Sequence, residues 1–141
     1  MLIKQLSIFL ENKKGRFSEV TAILGEAGIN LTAFTVAENS DFGIVRLIVS
    51  DPEKAKNTLR ENKYAVSVTD VICLQMPNEA GALSKVMKII TRADISIEYM
   101  YAFSAGSSAL VIIRPDELDR TVSVLTENKV ELQVSNDLFS L

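Results

Sequence analysis

Histidine and tryptophan are missing from this sequence, and cysteine occurs once. Without histidine there is no imidazole acid/base catalyst, no Cys–His dyad and no common zinc ligand set. The one thiol, Cys73, cannot close a disulfide within the chain; lying inside an apolar run, it reads as a small buried hydrophobe. Carboxylates remain, but Glu11, Asp41, Asp51, Asp70, Glu79 and Asp94 are scattered over presumed loops and element ends. They show no paired spacing and read as solvated surface charge. The expectation is a non-enzyme with no metal site and no cofactor.

An excess of positive charge is lacking too. Fifteen Lys and Arg against 18 Asp and Glu leave a net charge of −3, which gives no electrostatic footprint for nucleic acid or an anionic membrane surface. The apolar runs are far shorter than a bilayer span, and Met1-Leu2-Ile3-Lys4-Gln5 lacks the apolar core of a signal peptide. Neither nucleic acid nor a membrane is expected as a partner, and a cytoplasmic location is expected.

What the chain does contain is a repeat. Asn12-Lys13-Lys14-Gly15 recurs as Asn78-Glu79-Ala80-Gly81, with the same offset from Asn12 to Asn78 as from Gly15 to Gly81. Each follows an apolar run (Leu6 to Leu10; Val71 to Met76) and precedes a helical pattern. The 141 residues therefore divide into two units, 1–69 and 70–141. Units of about 70 residues bury a modest fraction of their surface, so packing between halves or between chains is expected to stabilise them.

In order, Leu6, Ile8 and Leu10 alternate as a half-buried strand requires. Phe17, Val20, Leu24 and Ala27 recur at helical spacing, and Gly28 supplies a left-handed stop. Ile29 to Ala37 and Gly43 to Val49 read as a hairpin turning at Glu38 to Asp41. Ser50-Asp51-Pro52 reads as a cap with proline at the first helical position, and a fourth strand follows Glu61-Asn62-Lys63. The second unit repeats this order. Aligning Leu47 with Leu110 and Pro52 with Pro115 implies that the offset shortens by three in the middle, with Asp116 capping a longer last helix. On that alignment Phe9, Ile44, Ile48, Val111 and Ile113 fall on the open face of the sheets, away from the helices.

Each unit is thus βαββαβ. Two interleaved right-handed βαβ crossovers give the α+β, ferredoxin-like arrangement: an antiparallel sheet of strand order 4-1-3-2 with both helices on one face. Only Thr69-Asp70 separates strand four of the first unit from strand one of the second. In this order strand two is an exposed edge. The short junction therefore predicts that the edges Leu31 to Ala37 and Ile97 to Phe103 pair between chains, in a homodimer, or that the units exchange strands.

The residues resemble ACT domains: small βαββαβ modules with Asn-x-x-Gly after the first strand and a Gly-Ile-Asn-Leu-like entry into the second. The resemblance rests on Glu11 to Phe17 with Gly28-Ile29-Asn30-Leu31, and on Asn78 to Leu83 with Asp94-Ile95-Ser96-Ile97. It departs from the family where many members carry proline before the turn glycine, here Lys14 and Ala80. It implies an amino-acid-binding regulatory module in which the first turn of one domain and the start of a neighbour's second strand hold the ligand. It also implies a freestanding sensor or a separately encoded regulatory subunit, with a metabolic enzyme as partner.

On that reading the candidate site comprises Asn12, Lys13, Lys14, Gly15 and Asn30 in the first unit, and Asn78, Glu79, Ala80, Gly81 and Ser96 in the second. Asn12 and Asn78 either meet an α-amino or α-carboxyl group or cap their helices. Gly15 and Gly81 permit close approach of backbone to ligand, although turn geometry alone also selects glycine. Lys13, Lys14, Arg16 and Glu79 read better as solvated charge. Tyr99, Tyr101 and Phe103 share one strand face and read as packing before they read as an aromatic pocket.

An RNA reader on this topology would need exposed aromatics and basic charge, and a metal chaperone would need paired thiolates. The composition supplies neither. A structural or interaction subunit without its own ligand stays open.

Overall fold

The computed structural model describes residues 2–11, 13–38, 42–136 and 138; Asn12 and the hairpin turn at 39–41 lie outside the described residues. The first strand, β1 (Ile3–Glu11), buries Leu6, Ile8 and Leu10 toward the helices and exposes Phe9. Helix α1 (Arg16–Glu26) turns Val20 and Leu24 into the same core and stops at Gly28, whose left-handed φ of 73° suits glycine; Asp94, at φ 57°, does the same in the second unit. Strands β2 (Leu31–Glu38) and β3 (Phe42–Val49) form the antiparallel hairpin, and α2 (Pro52–Glu61) adds Ala55 and Leu59 to the core.

Strand β4 (Ala65–Pro77) is a single 13-residue strand, so the two residues expected to join the units are themselves part of the ladder. After it come α3 (Ala82–Arg92), β5 (Ile97–Ala105), β6 (Ser108–Pro115), α4 (Leu118–Glu127) and the short β7 (Glu131–Leu132). The chain divides into two compact units. One contains Lys4–Thr69 with Asn136 and Leu138; the other contains Asp70–Ser135 with Leu2 and Ile3. Asn136 is fixed by a pair of bonds to Lys4: its Nδ2 donates to the Lys4 carbonyl at 2.6 Å, and its Oδ1 accepts from the Lys4 N–H at 2.9 Å.

The first unit has strand order β2-β3-β1-β4 and the second β5-β6-β4-β7, which is the 4-1-3-2 arrangement in each. Strands β2 and β5 are the edges, as the sequence implies. The second core gathers Ile72, Leu74, Val86, Ile90, Val111, Ile113 and Leu125. Each such side chain contributes about 1.5–3 kcal/mol by leaving water. The faces away from the helices are also partly closed, since Gln5, Ile48, Cys73 and Ile112 are buried as well.

One offset, that from Gly15 to Gly81, holds along the whole chain. Leu31 opposes Val49 as Ile97 opposes Pro115, and Ala37 opposes Ile44 as Phe103 opposes Leu110. Helices α2 and α4 begin at Pro52 and Leu118, the same distance apart in sequence, and are equal in length. The expected shortening by three is therefore wrong, and so is the longer last helix. Pro115 misleads the alignment because proline fits the end of a strand as well as the start of a helix. It ends β6, and the α4 N-cap is Glu117, with no side-chain cap bond.

An odd slip inverts which face a strand residue occupies, so Val111 and Ile113, expected on the open face, lie in the helix-side core. Asp116, expected as a cap, accepts from the Ser96 N–H at 3.2 Å instead.

Asp51 does cap α2, its Oδ1 accepting from the Lys54 N–H at 3.2 Å. Replacing Asp51 with alanine is expected to cost about 1 kcal/mol in urea-induced unfolding. Glu117→Ala, which removes only a surface ion pair to Arg120, is expected to cost less than about 0.5 kcal/mol.

Candidate functional site

Both turns that the sequence singles out are built alike. Gly15 and Gly81 are the N-cap residues of α1 and α3, with φ of 84° and 88°, and among the described residues neither helix receives a side-chain cap. A Cβ placed on either glycine would meet nothing within 4 Å. Glycine is therefore selected by the left-handed backbone and not by crowding. The first N–H of each helix turns back to the loop, Arg16 to the Lys13 carbonyl at 3.4 Å and Ala82 to the Glu79 carbonyl at 3.3 Å, and no side chain of Gly15 or Gly81 is there to cap the next ones.

The capping alternative fails for Asn78. Its side-chain Nδ2 donates to Ser104 Oγ at 3.4 Å and its backbone N–H to the Ser107 carbonyl at 2.9 Å, which ties the turn to the β5–β6 hairpin. Glu79 and Ala80 are exposed beside it, as are Lys13 and Lys14 in the first turn. Asn12 lies outside the described residues.

Asn30 and Ser96 do not join the turns of their own units. Each stands at the far end of its sheet: the Asn30 N–H donates to Ser50 Oγ at 3.1 Å, and Ser96 pairs with Asp116. The length of β2 separates Asn30 from the first turn by roughly 25 Å at about 3.3 Å per residue.

The charges differ between the turns. In the first, Lys13 pairs with Glu11 at 2.9 Å, and Arg16 stands 3.6 Å from Glu11 and 3.8 Å from Glu19. The hydrogen bond and the charge of Lys13, with Arg16 adding, hold the exposed Glu11 carboxyl below the usual carboxylate range. A pocket of 110 Å³ lies between Lys13, Phe17 and the edge-strand residue Val36. Phe34 and Val36 on β2 are 55% and 50% exposed, and the Phe34 ring sits 5.7 Å from that of Phe17.

A larger cleft of 700 Å³, lined by Phe9, Arg16, Glu19, Phe42 and Tyr64, opens on the other side of the β1 end. The Tyr64 hydroxyl is buried beside Glu19 and Arg16 and closes no well-formed hydrogen bond. Burial pushes its phenol above the ordinary range, the Glu19 carboxylate pushes the same way, and Arg16 opposes them. Sequence reasoning missed Glu19, Phe42 and Tyr64; with the correct period, the signal is that Phe42 and Tyr64 correspond to Ser108 and Val130.

Tyr99, Tyr101 and Phe103 lie half-buried on the face of β5 away from the helices, opposite Arg114, Ile112 and Leu110. Among the described residues no group of three or more Cys, Asp or Glu is placed to hold a metal ion, and no helix is long and apolar enough to cross a membrane.

A family model described as an ACT domain pair matches residues 1–141. No curated protein matches the chain. Among solved structures, protein BT0572 from Bacteroides thetaiotaomicron is 50% identical, with a TM-score of 0.95 over 100% of this chain and 98% of that one. The ligand-free regulatory subunit of aspartate kinase from Thermus thermophilus is 12% identical, with a TM-score of 0.64 over 88% of this chain and 91% of that one. The corresponding subunit from Thermus flavus is also 12% identical, with a TM-score of 0.59 over 87% and 88%.

Proposed function

Since the chain belongs to the family of ACT domain pairs, we propose that it is a regulatory protein that senses a free amino acid at the strand-to-helix turns Asn12 to Gly15 and Asn78 to Gly81, without turnover of its own. The functional units are the repeats 1–69 and 70–141, acting in the cytoplasm on a metabolic enzyme. The observation that carries this reading is the duplicated left-handed glycine, which in each repeat starts a helix without a side-chain cap of its own and has no atom crowding its Cα. Such a helix start presents N–H groups and positive potential to a carboxylate.

The missing half of each site would come from a second copy. When two edge strands pair antiparallel, the start of one lies beside the end of the other, which brings a neighbour's Asn30 toward Lys13 to Gly15. The half-exposed Phe34 and Val36 on that edge are the apolar surface such a seam would cover. Light scattering at micromolar concentration is expected to give twice the 15.5 kDa chain mass; a monomer that still binds ligand would remove the seam from the site.

A thermal-shift screen of the common amino acids tests the sensing role. One-site binding at a hundredfold excess over Kd stabilises the fold by about 2.7 kcal/mol, an easily read shift. If no amino acid moves the melting temperature at millimolar concentration, the chain is a structural subunit instead.

A further inference from the structure

The repeat is an internal control for the 700 Å³ cleft of the first unit. The second unit builds the same strands and helices with Gln75 in place of Phe9, Ala82 in place of Arg16, Lys85 in place of Glu19, Ser108 in place of Phe42 and Val130 in place of Tyr64. There Gln75 Nε2 donates to Ser108 Oγ at 3.1 Å and Gln75 Oε1 accepts from Gln133 Nε2 at 2.8 Å, joining the neighbouring strands by hydrogen bonds. The fold therefore does not require the aromatic and charged groups of the first unit. Two of them contribute less to the core than a buried ring would, because Phe9 and Phe42 stand 48% and 43% exposed. The buried Tyr64 hydroxyl, which faces Glu19 and Arg16 without closing a well-formed hydrogen bond, is a third group that contributes less than it could.

These groups converge on one kind of ligand. Arg16 makes only loose contacts with its two carboxylates, at 3.6 and 3.8 Å, and its planar five-donor fork has room for another carboxylate. Glu19, held only loosely by Arg16 at 3.8 Å, can take an ammonium, whereas Glu11 is engaged by Lys13 at 2.9 Å. Tyr64 offers a hydroxyl that can donate or accept. With Lys63 also on the lining, the charges of Glu11, Arg16, Glu19 and Lys63 cancel, which suits a zwitterion and disfavours a net ion of either sign. The exposed faces of Phe9 and Phe42 suit a ring.

We propose that this cleft is a second binding site, confined to the first repeat and complete without a neighbour, for a small zwitterion with an aromatic body. The carboxylate meets Arg16, the ammonium meets Glu19, Tyr64 bonds the head group and Phe9 with Phe42 hold the ring. The site does not rest on the turn reading, since it uses neither an uncapped helix start nor a seam.

The probe is L-phenylalanine, titrated into the intact chain by calorimetry beside L-alanine, 3-phenylpropionate and phenethylamine. L-phenylalanine is expected to saturate, and each analogue lacking the ring or one charge to bind at least about tenfold more weakly. Tyr64→Phe is expected to weaken binding about tenfold while leaving the melting temperature unchanged or raised, a split that a purely structural tyrosine would not give. Phe42→Ala should weaken binding as well, and Gly81→Val, in the other repeat, should not.

Absence of saturable binding overturns the site, as does equal binding of phenethylamine. Binding that survives both Phe42→Ala and Tyr64→Phe but disappears in Gly15→Val places the ligand at the turn and overturns the cleft alone.

Discussion

Replacing Gly81 with valine is expected to abolish amino-acid binding at the second turn, with a smaller loss of stability than replacing Leu74 with alanine. Gly81 holds φ at 88°, a conformation that a β-branched residue adopts only under strain of roughly 1–3 kcal/mol. No atom within 4 Å resists the new Cβ, so the cost stays local, while a branched side chain is added at the turn proposed to hold the ligand. Leu74 is fully buried in the second core, and truncating it leaves a cavity costing roughly 2–5 kcal/mol. The two variants should separate in opposite senses: the valine variant loses the smaller share of stability and fails to bind, and the alanine variant melts earlier but binds while folded. Urea unfolding and titration of both measure this, and unimpaired binding by the valine variant would remove the turn from the site.

The second large effect concerns alkaline stability. Burial pushes the Cys73 thiol up to about 12, whereas an unfolded cysteine titrates near about 8.5. Because the folded value is raised, the contribution is fully present below about pH 8.5 and is lost as pH climbs toward 12, where only the unfolded chain releases the proton. The slope is about 1.4 kcal/mol per pH unit, so moving from about pH 8.5 to about pH 10.5 should remove roughly 3 kcal/mol of stability. Burial raises the Tyr64 phenol too, which extends the loss above its usual range. Cys73→Ala should flatten the profile across this window at the cost of a small cavity. An equal slope in wild type and variant would show that the thiol is not held protonated by the fold. For the same reason Cys73 should resist a thiol reagent at neutral pH until the chain unfolds.

The fold is legible in the sequence because periodicity reports burial directly. Leu6, Ile8 and Leu10 in β1, and Val86 and Ile90 in α3, occupy the core positions their spacing implies. The turn glycines are legible because only a left-handed N-cap calls for glycine there. The middle of the repeat is where the pattern misleads. Pro115 carries the same local signature at a strand end as Pro52 does at a helix start, and pairing them inverts the faces of Val111 and Ile113.

The cleft is illegible for a different reason. Phe9, Arg16, Phe42 and Tyr64 are far apart in sequence and come together only where the end of β1, the start of β3 and the α2–β4 turn meet. No local pattern encodes such a meeting, although position-by-position comparison at the true period shows which of its residues the second repeat lacks. Asn30 is legible as a polar strand-start residue, but its distance from its own turn follows only from the register.

The central claim is that the two left-handed glycine turns hold a free amino acid. Calorimetric titration of each common amino acid into the purified chain at millimolar concentration tests it most directly, repeated with the Gly15→Val/Gly81→Val double variant. The account predicts saturable heat from at least one amino acid in the wild type, with the turn-bound component absent in the double variant, which remains folded. No heat from any amino acid, or isotherms identical in wild type and double variant, would contradict it.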